Sequence, residues 1–178
     1  TVKLKFDSTL SYQEEALRAV TDLLEGTPLL EKGHAVTLTS ETLLGTAYSE
    51  LGVGNPPLID AAQVLANLHK VQIRGDVPKS RKLVEEEGYY KFPNFSVEME
   101  TGTGKTYVYL RTIFELNHLY GIKKFVIVVP SVAVREGVTS SIRLMRDHFR
   151  SLYDNVAFDD FVYNSKDLSR VPQFARNN

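Results

Sequence analysis

Phe95-Ser96-Val97-Glu98-Met99-Glu100-Thr101-Gly102-Thr103-Gly104-Lys105-Thr106-Tyr107-Val108-Tyr109-Leu110 is the stretch on which the reading of this chain turns. An extended run at 95–99 leads into a loop with glycines at 102 and 104, and a helix is predicted over 105–120. Those glycines take backbone angles closed to other residues, so successive N–H groups can turn into one concavity, and the helix start adds partial positive charge. In such a loop Lys105 reaches the β and γ phosphates of a nucleotide as a point charge. The Thr106 hydroxyl becomes a ligand of Mg²⁺ bridging those phosphates, while Thr101, Gly102, Thr103 and Gly104 form the cradle. The strict spacing Gly-x-x-x-x-Gly-Lys-Ser/Thr is not met, because Met99 stands where its first glycine belongs.

Outward from this loop the pattern is regular. Val126-Ile127-Val128-Val129 is apolar without alternation, as in a parallel strand buried on both faces. With a helix predicted within 131–149 and a strand at 161–163, the order becomes βαβαβ with right-handed crossovers, an α/β fold. Upstream, Ser11 and Glu14 make a capping box before the stripe Ala16, Leu17, Val20, Leu23 and Leu24, and Gly26 suits a helix end, which predicts a helix over 11–25. Between them, Gly and Pro recur around two short helical patterns near 40–51 and 58–70, and a basic run reaching Lys82 is followed by Glu85-Glu86-Glu87. The expected division is an N-terminal segment at 1–26, a helical and looped insertion at 27–94, and the phosphate-loop domain at 95–178.

The chain has 178 residues, 43% hydrophobic and 24% charged, enough for one well-packed domain. With no cysteine it has no disulfide framework, thiol nucleophile or cysteine-ligated zinc site. His34, His69, His118 and His148 show no metal-ligand spacing. No apolar run approaches the roughly 18 residues of a membrane span, and the first residues lack a signal-peptide pattern, so a cytoplasmic protein away from membranes is expected. The net charge of -1 hides a local basic excess. Arg111, Lys123, Lys124, Arg135, Arg143, Arg146 and Arg150 face only Glu115, Glu136 and Asp147 over 107–150. That excess suits a phosphate backbone, and a solvated helix face of mixed charge gives the same count.

With Gln13 upstream and Phe125-Val126-Ile127-Val128-Val129-Pro130-Ser131 downstream, the chain resembles the first RecA-like domain of a superfamily 2 helicase or translocase. Nucleic-acid-stimulated ATPases of the large helicase superfamilies often replace the glycine missing at Met99 and favour Thr-Gly-x-Gly-Lys-Thr. Within the superfamily, residues 97–112 and Val128-Val129-Pro130-Ser131-Val132-Ala133-Val134-Arg135-Glu136-Gly137-Val138 look like the large restriction subunit of type III restriction-modification enzymes. Phe6-Asp7 and Tyr163-Asn164-Ser165-Lys166-Asp167-Leu168-Ser169 support this. The resemblance implies a P-loop, RecA-like three-layer sandwich around a parallel sheet, here incomplete. It implies that Gln13 reads the adenine edge of ATP, a task suited to an amide that both donates and accepts. Ser131 and Arg135 would grip the DNA backbone, although N-capping alone also explains Ser131.

Such an ATPase needs an acidic pair on a later strand, one carboxylate for Mg²⁺ and one for the attacking water. Asp159-Asp160 is the local candidate, and its setting reads instead as a turn before the 161–163 strand. The chain thus reads as ending before the acidic motif, the second RecA-like domain and any nuclease cluster. The parent protein implied by the resemblance couples ATP hydrolysis to cleavage of double-stranded DNA. Its partner is the modification methyltransferase subunit, which binds S-adenosylmethionine and reads the DNA site. Three alternatives stay open: a superfamily 2 translocase without a nuclease, a stand-alone small-molecule kinase, and a noncatalytic nucleotide-binding module. Met99, the glutamine-bearing helix and the lack of an Arg-rich lid speak against the kinase.

Overall fold

The computed structural model describes residues 6–29, 36–41, 48–55, 58–83 and 92–176. His34 and Glu85-Glu86-Glu87 lie outside them. The first helix, α1, spans Ser11–Thr21 and passes into a 3₁₀ turn at Asp22–Leu24. Gly26, at φ +98°, then reverses the chain as its position predicted. The expected capping box does not form, because Leu10 occupies the N-cap and no side chain caps the helix. Its place is taken by a turn one step earlier, in which Asp7 Oδ1 accepts from the Thr9 N–H at 2.8 Å and the Thr9 hydroxyl at 2.6 Å. The Leu10 carbonyl then opens the helical ladder, accepting from the amides of Gln13 and Glu14 at 3.0 Å.

Within 27–94 the helix expected near 40–51 is replaced by two antiparallel strands, β1 (Val36–Glu41) and β2 (Tyr48–Gly54), with an irregularity between Leu38 and Thr39. Val36-Thr37-Leu38-Thr39 alternates apolar with polar residues, and three of the four are β-branched, a period-2 pattern that favours a pleated strand over a helix. The second helical pattern does form, as α2 (Ala61–Arg74), whose N-cap Asp60 accepts from the Gln63 amide at 2.8 Å. Asn67, only 1% exposed, joins α2 to the end of α1 by donating to the carbonyls of Leu23 (3.2 Å) and Glu25 (2.9 Å). Two carbonyls left over where the 3₁₀ turn ends are thereby satisfied.

Helix α3 runs Lys105–Tyr120, the predicted bounds, and α4 runs Val132–Leu152 behind the N-cap of Ser131. Tyr107, Leu110 and Phe114 recur on one face of α3, Met145, Phe149 and Tyr153 along one face of α4 and its C-cap, and the two rows form the core. Spacings of three and four residues put each row on one side of its helix. Phe114 stacks on Phe149 with centroids 4.9 Å apart and meets Phe158 edge-on at 5.0 Å. Against another side of α3 packs α1.

The parallel strands expected at 95–99, 125–129 and 161–163 are not formed among the described residues, whose only ladder joins β1 to β2. A strand is stable only when its N–H and C=O groups pair with a neighbour and its faces are covered. Here Val126 and Val128 are 78% and 85% exposed, so the 125–129 run lacks the double-sided burial its composition predicted. Its entrance is nonetheless tied down. The Asn55 side-chain carbonyl accepts from the amides of Lys123 (3.0 Å) and Lys124 (2.9 Å), and its amide donates to the Lys124 carbonyl (2.9 Å). A short final helix, α5 (Val171–Arg176), lies against β2 and accepts from Lys124 Nζ at the Ala175 carbonyl.

Truncating Phe149, the least exposed residue of the α3–α4 core, to alanine should lower stability by about 3–5 kcal/mol, read from the midpoint of urea unfolding.

Candidate functional site

The loop before α3 has the conformation its glycines allow. Gly102 and Gly104 sit at φ +83° and +86°, and Gly104 is the N-cap of α3. No side chain caps this helix end, and the Thr103 hydroxyl is turned away to donate to the Glu100 carbonyl at 2.7 Å. The first amides of α3 therefore keep the outward-pointing donors and the partial positive charge of an uncapped N-terminus. Lys105 is exposed beside them and Thr106 half-buried. Burial pushes the neighbouring Tyr109 hydroxyl up in pKa, and the Thr106 hydroxyl partly offsets this.

Gln13 reaches the loop from α1, 90 residues away in sequence. It is buried, and its Nε2 donates to the Thr103 carbonyl at 2.9 Å. A Cβ on Gly104 would lie 2.6 Å from that same nitrogen, so any larger residue there would have to push the Gln13 amide aside. The loop, the start of α3 and α1 enclose an open cleft of about 610 Å³, in the size range of small-ligand sites. Gln13, Thr101, Gly102, Gly104, Lys105 and Thr106 line it. Thr103 contributes the carbonyl that holds Gln13. Ser131 and Arg135 do not belong to this cluster. The Ser131 hydroxyl accepts from the Val134 amide at 3.2 Å as an N-cap, and Arg135 pairs with Glu136 at 3.1 Å. Met145, the residue of α4 that does line the cleft, lies about 15 Å beyond Arg135 along the helix at 1.5 Å per residue.

Sequence reasoning passed over several wall residues. Phe6, Asp7 and Leu10 enter from the stretch before α1, and Tyr107 and Met145 from the core. Tyr107, like Tyr109 and Tyr120, could have been read from the sequence as stacking a base, but core packing is the commoner use of such aromatics and was preferred, and Met145 carried no signal beyond its apolar character. The Tyr107 hydroxyl hydrogen-bonds His148 Nε2 at 2.9 Å, and Phe6 packs on both rings at 6.2 and 5.3 Å between centroids. Burial, and then the charge of Arg111, hold the His148 imidazole below its ordinary pKa.

Much of the local basic excess is spent within the chain. Arg111 donates to the Ser8 carbonyl at 2.7 Å, and Arg146 pairs with Asp160 at 2.6 Å over the Phe158 ring, while Arg170, beyond that stretch, pairs with Asp159. The two aspartates are thus occupied by arginines rather than turned toward the cleft. Among the described residues no group of three or more His, Asp or Glu is placed to hold a metal ion, and no helix is long and apolar enough to cross a membrane.

Residues 7–170 match the family described as type III restriction enzyme, res subunit. The EcoP15I Res subunit of Escherichia coli is 31% identical over 151 residues, which cover 83% of this chain and 14% of that protein. The StyLTI Res subunit of Salmonella typhimurium is 44% identical over 85 residues, 47% of this chain and 9% of that protein. The EcoPI Res subunit of Escherichia phage P1 is 47% identical over 60 residues, 33% of this chain and 6% of that protein. The chain thus spans a small part of the length of the relatives it matches.

Two consequences can be measured. Gly104→Ala and Gly102→Ala should each lose about 1–2 kcal/mol to the left-handed backbone, but only the former, with Gln13 at 2.6 Å, should lose more than that in urea unfolding. His148 should make the protein less stable in mild acid. Because its folded pKa is depressed, its contribution is complete above the unfolded value of about 6.5 and is lost as pH falls below it. Tm should therefore drop between pH 7 and pH 5, and His148→Gln should flatten that slope.

Proposed function

The chain belongs to the family of type III restriction enzyme Res subunits, and on that premise we propose that it forms the ATP-binding part of a DNA-dependent ATPase or translocase whose hydrolysis of ATP is coupled to DNA cleavage. The observation that carries this reading is the meeting of Gln13 with Gly104, Lys105 and Thr106 across one cleft. Family membership also supports a P-loop, RecA-like architecture for the domain to which the chain contributes. In that architecture α3 and α4 are crossover helices, and the runs at 95–99, 125–129 and 161–163 are strands of its parallel sheet.

The residues present fit a nucleoside triphosphate. An uncapped helix start behind two left-handed glycines favours phosphate oxygens, and the exposed Lys105 adds a full charge that can follow them. Thr106, on the first turn of α3, is the residue to hold Mg²⁺, which when bound neutralises the charge developing between the β and γ phosphates. The Gln13 amide nitrogen carries two hydrogens, one of them given to Thr103. The other, with the side-chain oxygen, matches the donor and acceptor needed at an adenine edge. Ser131 and Arg135 form a separate, exposed end of α4 suited to a DNA backbone, with double-stranded DNA and the modification methyltransferase subunit as partners of the complete protein.

Lys105→Ala in the complete protein should weaken ATP binding and lower DNA-stimulated hydrolysis by roughly 10²-fold or more, as expected for removal of a preorganised charge at the transition state. Phosphate release and binding of a fluorescent ATP analogue would check this. Binding unaffected by the substitution would favour a noncatalytic nucleotide module instead. Residues 1–178 alone are expected to bind adenine nucleotide weakly without turning it over. Turnover by that piece, stimulated by DNA and abolished by Lys105→Ala, would move Asp159 and Asp160 into the catalytic machinery.

A further inference from the structure

Phe6, Asp7 and Leu10 line the cleft from a stretch that lies ahead of α1 and belongs to no helix or strand. Side chains on such a stretch keep their place only if its backbone is held from outside. A local turn at Asp7 and Thr9 gives part of that hold, and the rest comes chiefly from α3. Arg111, two turns beyond the phosphate loop, reaches back with Nη1 to the Ser8 carbonyl at 2.7 Å, a charge-assisted bond across 103 positions of sequence. Further along the same helix the Tyr120 hydroxyl donates to the Thr21 carbonyl at 3.0 Å, and at its start Gln13 holds the Thr103 carbonyl. Helix α1 and its lead-in are thus fastened to α3 at three heights, with Arg111 fixing the part that enters the cleft.

The surroundings of Arg111 argue against a mere ion pair. Glu115, the carboxylate that acts on its charge, is engaged by the Tyr153 hydroxyl at 2.5 Å. Arg111 Nε is buried without a hydrogen-bond partner, an arrangement that a residue chosen for stability alone would avoid. Tyr153, Tyr107 and Glu115 favour its charge enough to outweigh the effect of burial. Beside its interactions with the Tyr153 and Tyr107 hydroxyls, the guanidinium aims Nη1 at one main-chain oxygen, that of Ser8.

We propose that Arg111 is a positioning residue for base selection: by holding the Ser8 carbonyl it sets the height at which Phe6, Leu10 and Gln13 stand over the phosphate loop. Arg111 itself does not line the cleft, so it acts through those residues and not on the ligand. The inference rests on the nucleotide reading of the cleft, and the experiment separates the two.

In the complete protein, Arg111→Met and Arg111→Lys would be titrated with ATP, GTP and inorganic tripolyphosphate. Arg111→Met should weaken ATP about tenfold, the scale of one lost charge-assisted hydrogen bond, and leave tripolyphosphate within about twofold. The preference for ATP over GTP should fall toward unity. Arg111→Lys, which keeps the charge on a shorter reach, should restore part of that preference. In a Gln13→Ala background Arg111→Met should add little, because both act on the same contact. An unchanged ATP-to-GTP ratio in Arg111→Met, equal losses of ATP and tripolyphosphate, or full additivity with Gln13→Ala would each overturn the proposal while leaving the site in place. If the methionine variant is unfolded at the assay temperature, the same ratios in Arg111→Lys decide. A parent protein that does not distinguish ATP from GTP and tripolyphosphate would overturn the adenine reading of Gln13, and the proposal with it.

Discussion

The face that α3 turns toward α4 is the constraint on which the remainder depends. Tyr107, Leu110 and Phe114 lock it against Met145, Phe149 and Tyr153, and the Phe114–Phe149 stack lies at the centre of that contact. Adjacent residues of a helix point about 100° apart, so fixing this face fixes where Lys105 and Thr106 emerge and where Arg111 reaches. A slip of one residue would take Tyr107 from His148, Arg111 from Ser8 and the glycine loop at 101–104 from Gln13. The core thus sets the cleft's geometry, and Tyr107 belongs to both.

The charged groups sort by the same logic. Arg111, Arg146 and Lys124 sit in the stretch of basic excess, yet each spends a donor on a main-chain carbonyl of the chain itself. A count of charge along the sequence therefore overstates what is offered to a polyanion. The positive potential at the cleft comes instead from a few sources aimed at one place, the open amides at the head of α3 and the exposed Lys105.

What was legible in the sequence was whatever neighbouring residues decide. The bounds of α3, the cap at Ser131, the reversal at Gly26 and the left-handed glycines of the phosphate loop all rest on local backbone chemistry, and each stands where it was expected. The docking of Gln13 on that loop was signalled only by the resemblance, since nothing nearby in sequence links α1 to residue 103. The runs at 95–99 and 125–129 have the composition of buried strands, but a ladder depends on partners that composition does not supply, and none forms among the described residues. The strand pair β1–β2 was missed for the opposite reason. A period of two over four residues, Val36-Thr37-Leu38-Thr39, was outweighed by a looser helical pattern that began at its end.

The contact between Gln13 and Gly104 has an evolutionary corollary. Because a methyl group at position 104 would displace the Gln13 amide from the Thr103 carbonyl, a change at one position is felt at the other. A lineage that exchanged the glutamine for a smaller residue would free position 104 sterically but not conformationally, since φ +86° still favours glycine. A lineage that exchanged the glycine would have to reposition the glutamine in the same step. Selection at either position is therefore felt at the other, although the two stand 91 positions apart in the sequence.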